Sequence, residues 1–554
     1  MDNQRLILLL VFSFSVVMLW EAWHKQGQVP VPAPTVAAQA GGASPAPLAL
    51  PGDIPRPTAV AAPAPAVPAP AAAVAATQGA KALVKTDLFL AEITAQGGDL
   101  VRMELTGHRA TEDTNKNFLL FDNGEQHIYE AQSGLIGEGL PNHKTQFQLQ
   151  PGEYRLKDGQ DSLQLRLEAP AGGGAKVSKV YTFHRGSYLV DVAYEITNLG
   201  TVPLTPPAYF QTLRDGKPPS TDSRMVSTFT GAAVYTSQDK YQKIDFEDIA
   251  KGKAKHAQKA DNGWIAVVQH YFVSAWLPPA GVEREFFTRR VGDNLYSIGV
   301  ILPVATIAPG ATGKLGVQLY AGPQEQEKLE KIAPGLNLVV DYGWLTIVAA
   351  PLFWVLEAIY GWVGNWGWAI IGLTVLLKLI FFPLSAASYK SMAKMKLVTP
   401  KLAKLKELYP DDRARLNQEM MELYKREKIN PLGGCLPIVV QIPVFIALYW
   451  VLLGTVEMRY APWLGWIQDL SAKDPFFVLP LIMGATMLVQ TRLNPPPPDP
   501  IQAKVMMFMP IVFTGMFLFS PSGLVLYWTV NNLLSIAQQW QITRLIEGGS
   551  KKAT

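Results

Sequence analysis

The run TVLLKLIFFPL at 374–384 places a lysine, Lys378, in an otherwise apolar stretch ahead of Pro383. A charge inside a membrane-length segment is costly, and its default reading is a functional site. Two readings follow from the spacing. At helical rise Lys378 lies roughly 7–8 Å from Pro383, so its stem can carry the ammonium out to the surface. In the other reading the ammonium lines a wet cavity, open to the cytoplasm and closed above by packed helices. The remaining polar residues of the apolar runs are Thr374, Gln441, Thr486, Gln490, Thr514, Thr529, Asn531 and Asn532. Such groups face a partner helix or a water-filled space. Gln441 stands between Pro437 and Pro443, where the helix is expected to bend.

Residue types that make or break covalent bonds are not arranged to do so. The seven histidines, His24, His108, His127, His143, His184, His256 and His270, are scattered without metal-ligand spacing. The string GATGKLG at 310–316 lacks the first glycine and the Ser/Thr of a phosphate loop, and it lies in a strand region, so it reads as a turn. No G-x-S-x-G nucleophile elbow occurs. Cys435 is the single cysteine, which excludes an intramolecular disulfide and a cysteine metal cluster. No catalytic residue, metal site or cofactor is expected, and the chain does not read as an enzyme.

The elements that must position Lys378 follow from composition. At 554 residues more than one domain is expected, and 49% hydrophobic against 17% charged residues indicates a membrane protein with a soluble portion. A net charge of +4 is too small to argue for direct nucleic-acid binding. Residues 1–25 read as an uncleaved N-terminal anchor. The apolar run at 6–20 is followed by Glu21-Ala22-Trp23-His24-Lys25 rather than a small-residue cleavage site. Residues 26–80 form an Ala/Pro-rich linker. Across 81–335, alternating apolar and polar residues between Gly, Asn and Pro turns predict an all-β sandwich. The tryptophans, Pro351 and Glu357 around 342–363 suit an interfacial amphipathic helix.

Spans are expected at 366–384, 435–453, 476–490, 505–520 and 523–543, with a short tail at 544–554. The 476–490 and 505–520 segments are short for a bilayer and would thin it. Between the first two of these spans, 385–432 reads as a helical hairpin with an apolar stripe through Tyr389, Met392, Met395, Leu402, Leu405 and Leu408. A second helix carries Leu416, Met420 and Leu423 at matching spacing. Its outer face is basic, with Lys390, Lys394, Lys401, Lys404, Arg413 and Arg415 among the charges. That excess marks the hairpin as cytoplasmic, which puts the β domain outside and both termini inside. A basic hairpin suits anionic lipid or a docking partner. The fold expected is a polytopic α-helical membrane protein of six transmembrane helices, five of them a core, with an all-β sandwich domain outside.

Two strings then carry a resemblance. The hairpin and its following span, including NPLGGC at 430–435, and PSGLVLYW at 521–528, closely resemble the YidC membrane insertases of Gram-negative bacteria. The match covers the whole chain. The resemblance implies insertion and chaperoned folding of inner-membrane proteins, alone or beside the Sec translocon, on a core shared with mitochondrial Oxa-type and chloroplast insertases. It implies a hydrophilic groove open to cytoplasm and lipid, with a basic residue in the first core span; Lys378 matches that position. The family's usual residue there is arginine. Lysine keeps the charge but loses the planar fork of donors.

On that basis Lys378, Thr374, Gln441, Asn532 and Trp528 are assigned to the groove. Met506, Met507, Met509, Met516 and Phe445 are assigned to an outer surface along which a client slides, because unbranched Met adapts to many partners. The partners implied are nascent membrane proteins, the lipid bilayer, the Sec translocon, and the ribosome or targeting factors through the hairpin. With only Lys551 and Lys552 in the tail, strong tail docking is not expected. The location implied is the inner membrane with a periplasmic β domain. The competing readings are a solute transporter or channel, and a periplasmic carbohydrate-binding receptor.

Overall fold

The computed structural model describes residues 54–57, 79–111, 113–124, 127–219, 228–409, 412–427, 436–494 and 500–550. The expected anchor at 1–25 and most of the 26–80 linker lie outside them. Among the described residues, 81–323 builds two facing sheets, one of ten strands and one of eight. The alternation read from sequence appears as alternating burial, for example along Phe89–Thr94, because one face of each strand meets the opposite sheet. The eight-stranded sheet is centred on Thr312–Pro323, antiparallel to Leu189–Asn198 and to Phe272–Leu277.

Several strands depart from alternation, two of them along their whole length. Trp264–Gln269 and Phe272–Leu277 are buried at every position, as expected of strands covered on both faces. Part of the cover is the segment that leaves the sandwich, whose Pro334 carbonyl accepts from Trp264 Nε1 at 3.0 Å. The hairpin turn joining these strands takes Tyr271 to φ 69, a left-handed conformation uncommon for a bulky residue.

The helices are α1 (Phe246–Ala250), α2 (Gln326–Ile332), α3 (Thr346–Val363), α4 (Trp366–Ile380), α5 (Phe382–Leu408), α6 (Arg413–Arg426), α7 (Leu436–Gly454), α8 (Val478–Leu493), α9 (Pro500–Phe517) and α10 (Ser522–Ser550). The stretch Gly343–Val363, which holds α3, is long and apolar enough to cross a membrane by length and composition. Its buried stripe, Ala349, Leu352, Phe353 and Leu356, recurs at helical spacing and packs against α7 and α4. Trp344, Ile347, Trp354 and Trp362 are exposed. Instead of one straight span to residue 384, α4 stops at Ile380 and α5 leaves it at 66°. Pro383, in the first turn of α5, has no N–H to continue the ladder of α4. The last helix does not end at 543 but runs on to Ser550, into the segment read as tail.

The turn of the buried hairpin seats the sandwich on the helices. His270 Nε2 lies 3.1 Å from the Leu453 carbonyl at the end of α7. Arg459, in the loop after α7, donates to Thr111 Oγ1 at 3.2 Å and to the Arg109 carbonyl. Its guanidinium carbon lies 5.3–5.9 Å from the ring centres of Phe118, Phe272 and Tyr271, a cation–π cage across the two parts. Tyr460 donates to the Ala110 carbonyl at 2.7 Å. One hydrophobic cluster runs without a break from the sandwich into the helices.

Glu457 lies in the same loop, with Oε2 buried and unpartnered among the described residues. Burial, with the Glu325 and Glu357 carboxylates nearby, pushes it up to about 8 from an ordinary 4.5. Folding therefore takes up a proton between those values, and stability falls as pH rises through that window, levelling above it. The melting temperature of the full chain in detergent is expected to drop from pH 5 to pH 9. In Glu457→Gln that slope flattens, and parallel curves for the two proteins would refute the assignment.

Candidate functional site

Five helices converge on a cavity of about 290 Å³ on the side of the helical region away from the sandwich. From α4 comes Lys378; from α5 come Ser385, Ser388, Tyr389 and Met392; from α7, Gln441, Ile442 and Phe445. Gln490 closes α8 and Asn494 follows it, while α10 supplies Tyr527, Trp528, Asn531, Asn532 and Ser535. The spacing explains the convergence. Residues 528, 531 or 532 and 535 share one face of α10, as 385, 388 or 389 and 392 share one face of α5.

Lys378 is 7% exposed, and its Nζ donates to Ser535 Oγ at 2.7 Å. The ammonium is held inside the cavity rather than extended to the surface. It also stands in the last turn of α4, where unpaired carbonyls favour a cation. Ser535 passes its own proton to the Asn531 carbonyl at 2.7 Å, so its oxygen is an acceptor for the lysine. Asn532 Nδ2 donates to Thr486 Oγ1 at 3.2 Å. Trp528 Nε1 is buried without a partner among the described residues. The cavity thus offers donors in a low-dielectric setting, where they act most strongly on a carboxylate or a carbonyl.

Toward the sandwich the same helices turn dry. Ile370 and Leu373 of α4, Leu448, Val451 and Leu452 of α7, Met483 of α8, and Leu524 and Val525 of α10 are all buried. The polar lining therefore stops partway along the helices.

Of the residues assigned from sequence, Lys378, Gln441, Asn532 and Trp528 line this cavity. Thr374 does not. It is 1% exposed and donates to the Ile370 carbonyl of its own helix at 2.6 Å. Phe445, assigned to the outer surface, is in the cavity wall with its ring centre 4.7 Å from that of Trp528. Met507, Met509 and Met516 are exposed along α9 beside Phe508, Ile511 and Val512, and Met506 is half-buried. In the hairpin, Val398, Leu402, Leu423 and Tyr424 form the buried core, while Leu408 is exposed. Tyr389 and Met392, on the expected stripe, face the cavity instead. Lys390, Lys404 and Arg415 are exposed, Lys394 is half-buried, and Lys401 pairs with Glu427 at 2.6 Å. The Arg413 side chain lies outside those described. Sequence reasoning missed Ser385, Ser388 and Asn494, which sit about a turn beyond the expected spans, and Ser535, which sits inside the 523–543 span. Their helical spacing to Met392, Gln490 and Asn532 was the available signal.

Residues 81–355 match the family model described as YidC periplasmic domain, and residues 358–550 match that described as 60Kd inner membrane protein. The chain is 64% identical to the membrane protein insertase YidC of Aromatoleum aromaticum over 560 residues, covering 100% of both. It is 59% identical to that of Dechloromonas aromatica over 560 residues, covering 100% of this chain and 99% of the other. A crystal structure of an active YidC insertase with its first transmembrane domain resolved aligns at 18% identity and TM-score 0.39, covering 82% of this chain and 91% of the other.

The division into wet and dry halves is measurable. With Cys435 replaced by serine, a cysteine at Gln441 should react with a membrane-impermeant maleimide at least about tenfold faster than one at Leu448, because thiol reactivity follows exposure. Equal rates at the two positions would contradict the division.

Proposed function

This chain belongs to the YidC family of membrane protein insertases, and from that premise we propose that the Lys378 cavity receives the polar flank of a nascent client. As a family member it is an inner-membrane protein with a β-sandwich periplasmic domain and a helical insertase region, and it acts on nascent membrane proteins. The observation that carries the proposal is a buried ammonium in a five-helix cavity backed by dry packing.

The client flank enters from the cytoplasmic side and exchanges water for the donors of Gln441, Asn532, Trp528 and Lys378. An acidic flank is drawn to Lys378. The client's apolar segment passes along the exposed face of α9, where Met507, Met509 and Met516 adapt to varied side chains. The 16 residues of α8 rise only about 24 Å, against a hydrocarbon core of about 30 Å, so the bilayer thins beside them. The exposed tryptophans of α3 hold that helix at the outer interface. No covalent bond is made or broken in this reading.

The basic hairpin of α5 and α6 meets the ribosome or a targeting factor first, and the Sec translocon is a partner for larger clients. Both termini are cytoplasmic. A solute path would require polar lining through the outer half, where Ile370, Leu373, Leu448 and Val525 pack instead.

The test is insertion by purified protein in liposomes, scored by protease protection of small clients differing only in the charge of the translocated flank. Lys378→Ala should reduce insertion of an acidic flank about tenfold, a loss of about 1.4 kcal/mol of the 2.5–3.5 kcal/mol that a buried charge costs. A neutral flank should change less than about twofold, and Lys378→Arg should restore the acidic client. If the alanine variant inserts acidic and neutral flanks as well as the parent, the charge plays no part in reception.

A further inference from the structure

A second cavity, of about 330 Å³, lies where the sandwich meets the outer end of α7, between Lys243 and Val268 on one wall and Trp344, Trp450 and Leu453 on the other. Its volume is at the lower end of the roughly 300–1,000 Å³ typical of small-molecule sites. We propose that it is a binding site for one phospholipid of the outer leaflet with a phosphoethanolamine headgroup.

Three observations support this occupant. The first is position. Trp450 and Leu453 stand in the last turn of α7, a helix buried at its sandwich end, and Trp344, 79% exposed, begins the apolar stretch of α3. On the reading that this end of α7 is the outer membrane surface, the cavity sits at headgroup level, where tryptophans concentrate. One turn past Trp344, Ile347 is also exposed and continues the apolar wall along which acyl chains would lie.

The second is charge. The cavity lining carries a cation and an anion side by side: the Lys243 ammonium pairs with the Asp341 carboxylate, and Asp245, outside the lining, also acts on Lys243. The Lys243 and Asp341 side chains keep 34% and 28% of their exposure. A zwitterionic headgroup presents the complementary pair, its phosphate to Lys243 and its primary ammonium to Asp341. An anionic headgroup would satisfy the lysine and meet the carboxylate unfavourably. A quaternary ammonium would have no N–H to donate to Asp341.

The third is that both charges are fixed before binding. Lys243 Nζ stands 5.0 Å from the Phe229 ring centre. Asp341 uses its other oxygen to accept from Gly343 N at 2.9 Å. A pre-positioned pair loses little entropy when a ligand arrives. An occupied cavity would join sandwich and helices at the level of the bilayer surface, beside the contact of His270 with Leu453.

The experiment uses the full chain in nanodiscs of mixed lipid with trace photoactivatable phosphatidylethanolamine, phosphatidylglycerol or phosphatidylcholine, each carrying a diazirine near the glycerol, and maps the labelled peptides. Phosphatidylethanolamine is expected to label peptides carrying Trp344 or Trp450 about fivefold more than the other two lipids. Lys243→Gln and Asp341→Asn should each abolish that preference. Labelling of the exposed α9 face at Phe508 and Ile511 should stay constant, which shows that each variant remains folded in the membrane. Equal labelling by all three lipids, a preference for phosphatidylglycerol, or a preference that survives both substitutions would overturn the proposal. If α9 labels while Trp344 and Trp450 do not, the lipid site fails and the insertase reading stands.

Discussion

The hydrogen bond from the Lys378 ammonium to Ser535 is the interaction around which the helical region is arranged. An unpaired charge in hydrocarbon costs several kcal/mol, so the chain has to supply acceptors and dipoles at one point within the helices. It does so with parts drawn from opposite ends of the C-terminal region. The last turn of α4 offers its carbonyl ends, and α10, more than 150 residues later, offers Ser535. The sharp exit of α5 follows from the same demand, since a straight continuation of α4 would not bring Ser385, Ser388 and Tyr389 to the cavity wall.

The sandwich imposes a second constraint. It rests on the helices through a hairpin turn and the loop after α7. The contacts are short-ranged and directional: a cation in an aromatic cage, the carbonyl acceptors of Arg109 and Ala110, and the His270–Leu453 pair. Directional contacts of this kind fix orientation, whereas apolar burial alone would permit sliding. The helix ends at this face are therefore anchored, while the opposite ends, around the cavity, have the hairpin as neighbour. Tight packing on the sandwich side is consistent with the dry layer formed by Ile370, Leu373, Leu448 and Val525.

Much of this arrangement is written locally in the sequence, and the exceptions have physical causes. The sandwich was legible because its strands alternate with period two, as in Phe89–Thr94. Trp264–Gln269 broke the pattern because a tertiary contact covers its second face. Lys378, Gln441, Asn532 and Trp528 were assigned to one groove by the family resemblance, since the polar groups inside the apolar runs by themselves pointed only to a partner helix or a wet cavity. Thr374 misled for a chemical reason: threonine in a helix can satisfy its hydroxyl on the carbonyl four residues back, and it does so here. Ser535 was passed over because a serine inside a helix can satisfy its hydroxyl on the carbonyl four residues back, as it does here on Asn531. The break at Phe381 was marked by Pro383, yet its angle depends on what α5 packs against.

The cavity also sets how the two contributions to insertion divide. Along α7 the cavity wall reaches Phe445, and the helix ends at Gly454. The nine helical steps between them rise about 14 Å, roughly half of the 30 Å that a flank would cross through undisturbed lipid. In the proposed mechanism this shorter dry layer lowers the barrier for every flank, whatever its charge. In the proposed reading the ammonium of Lys378 adds a contribution that depends on the sign of the client's charge, and it acts at the cavity, below the packed layer of Ile370, Leu373, Leu448 and Val525. In the proposed reading thickness therefore governs how readily any flank crosses, and Lys378 governs which flanks are gathered at the entrance. A lysine suits that second role, because its compact ammonium attracts a carboxylate without the bidentate grip of a guanidinium. A flank received as proposed would be held and could still leave for the outer side.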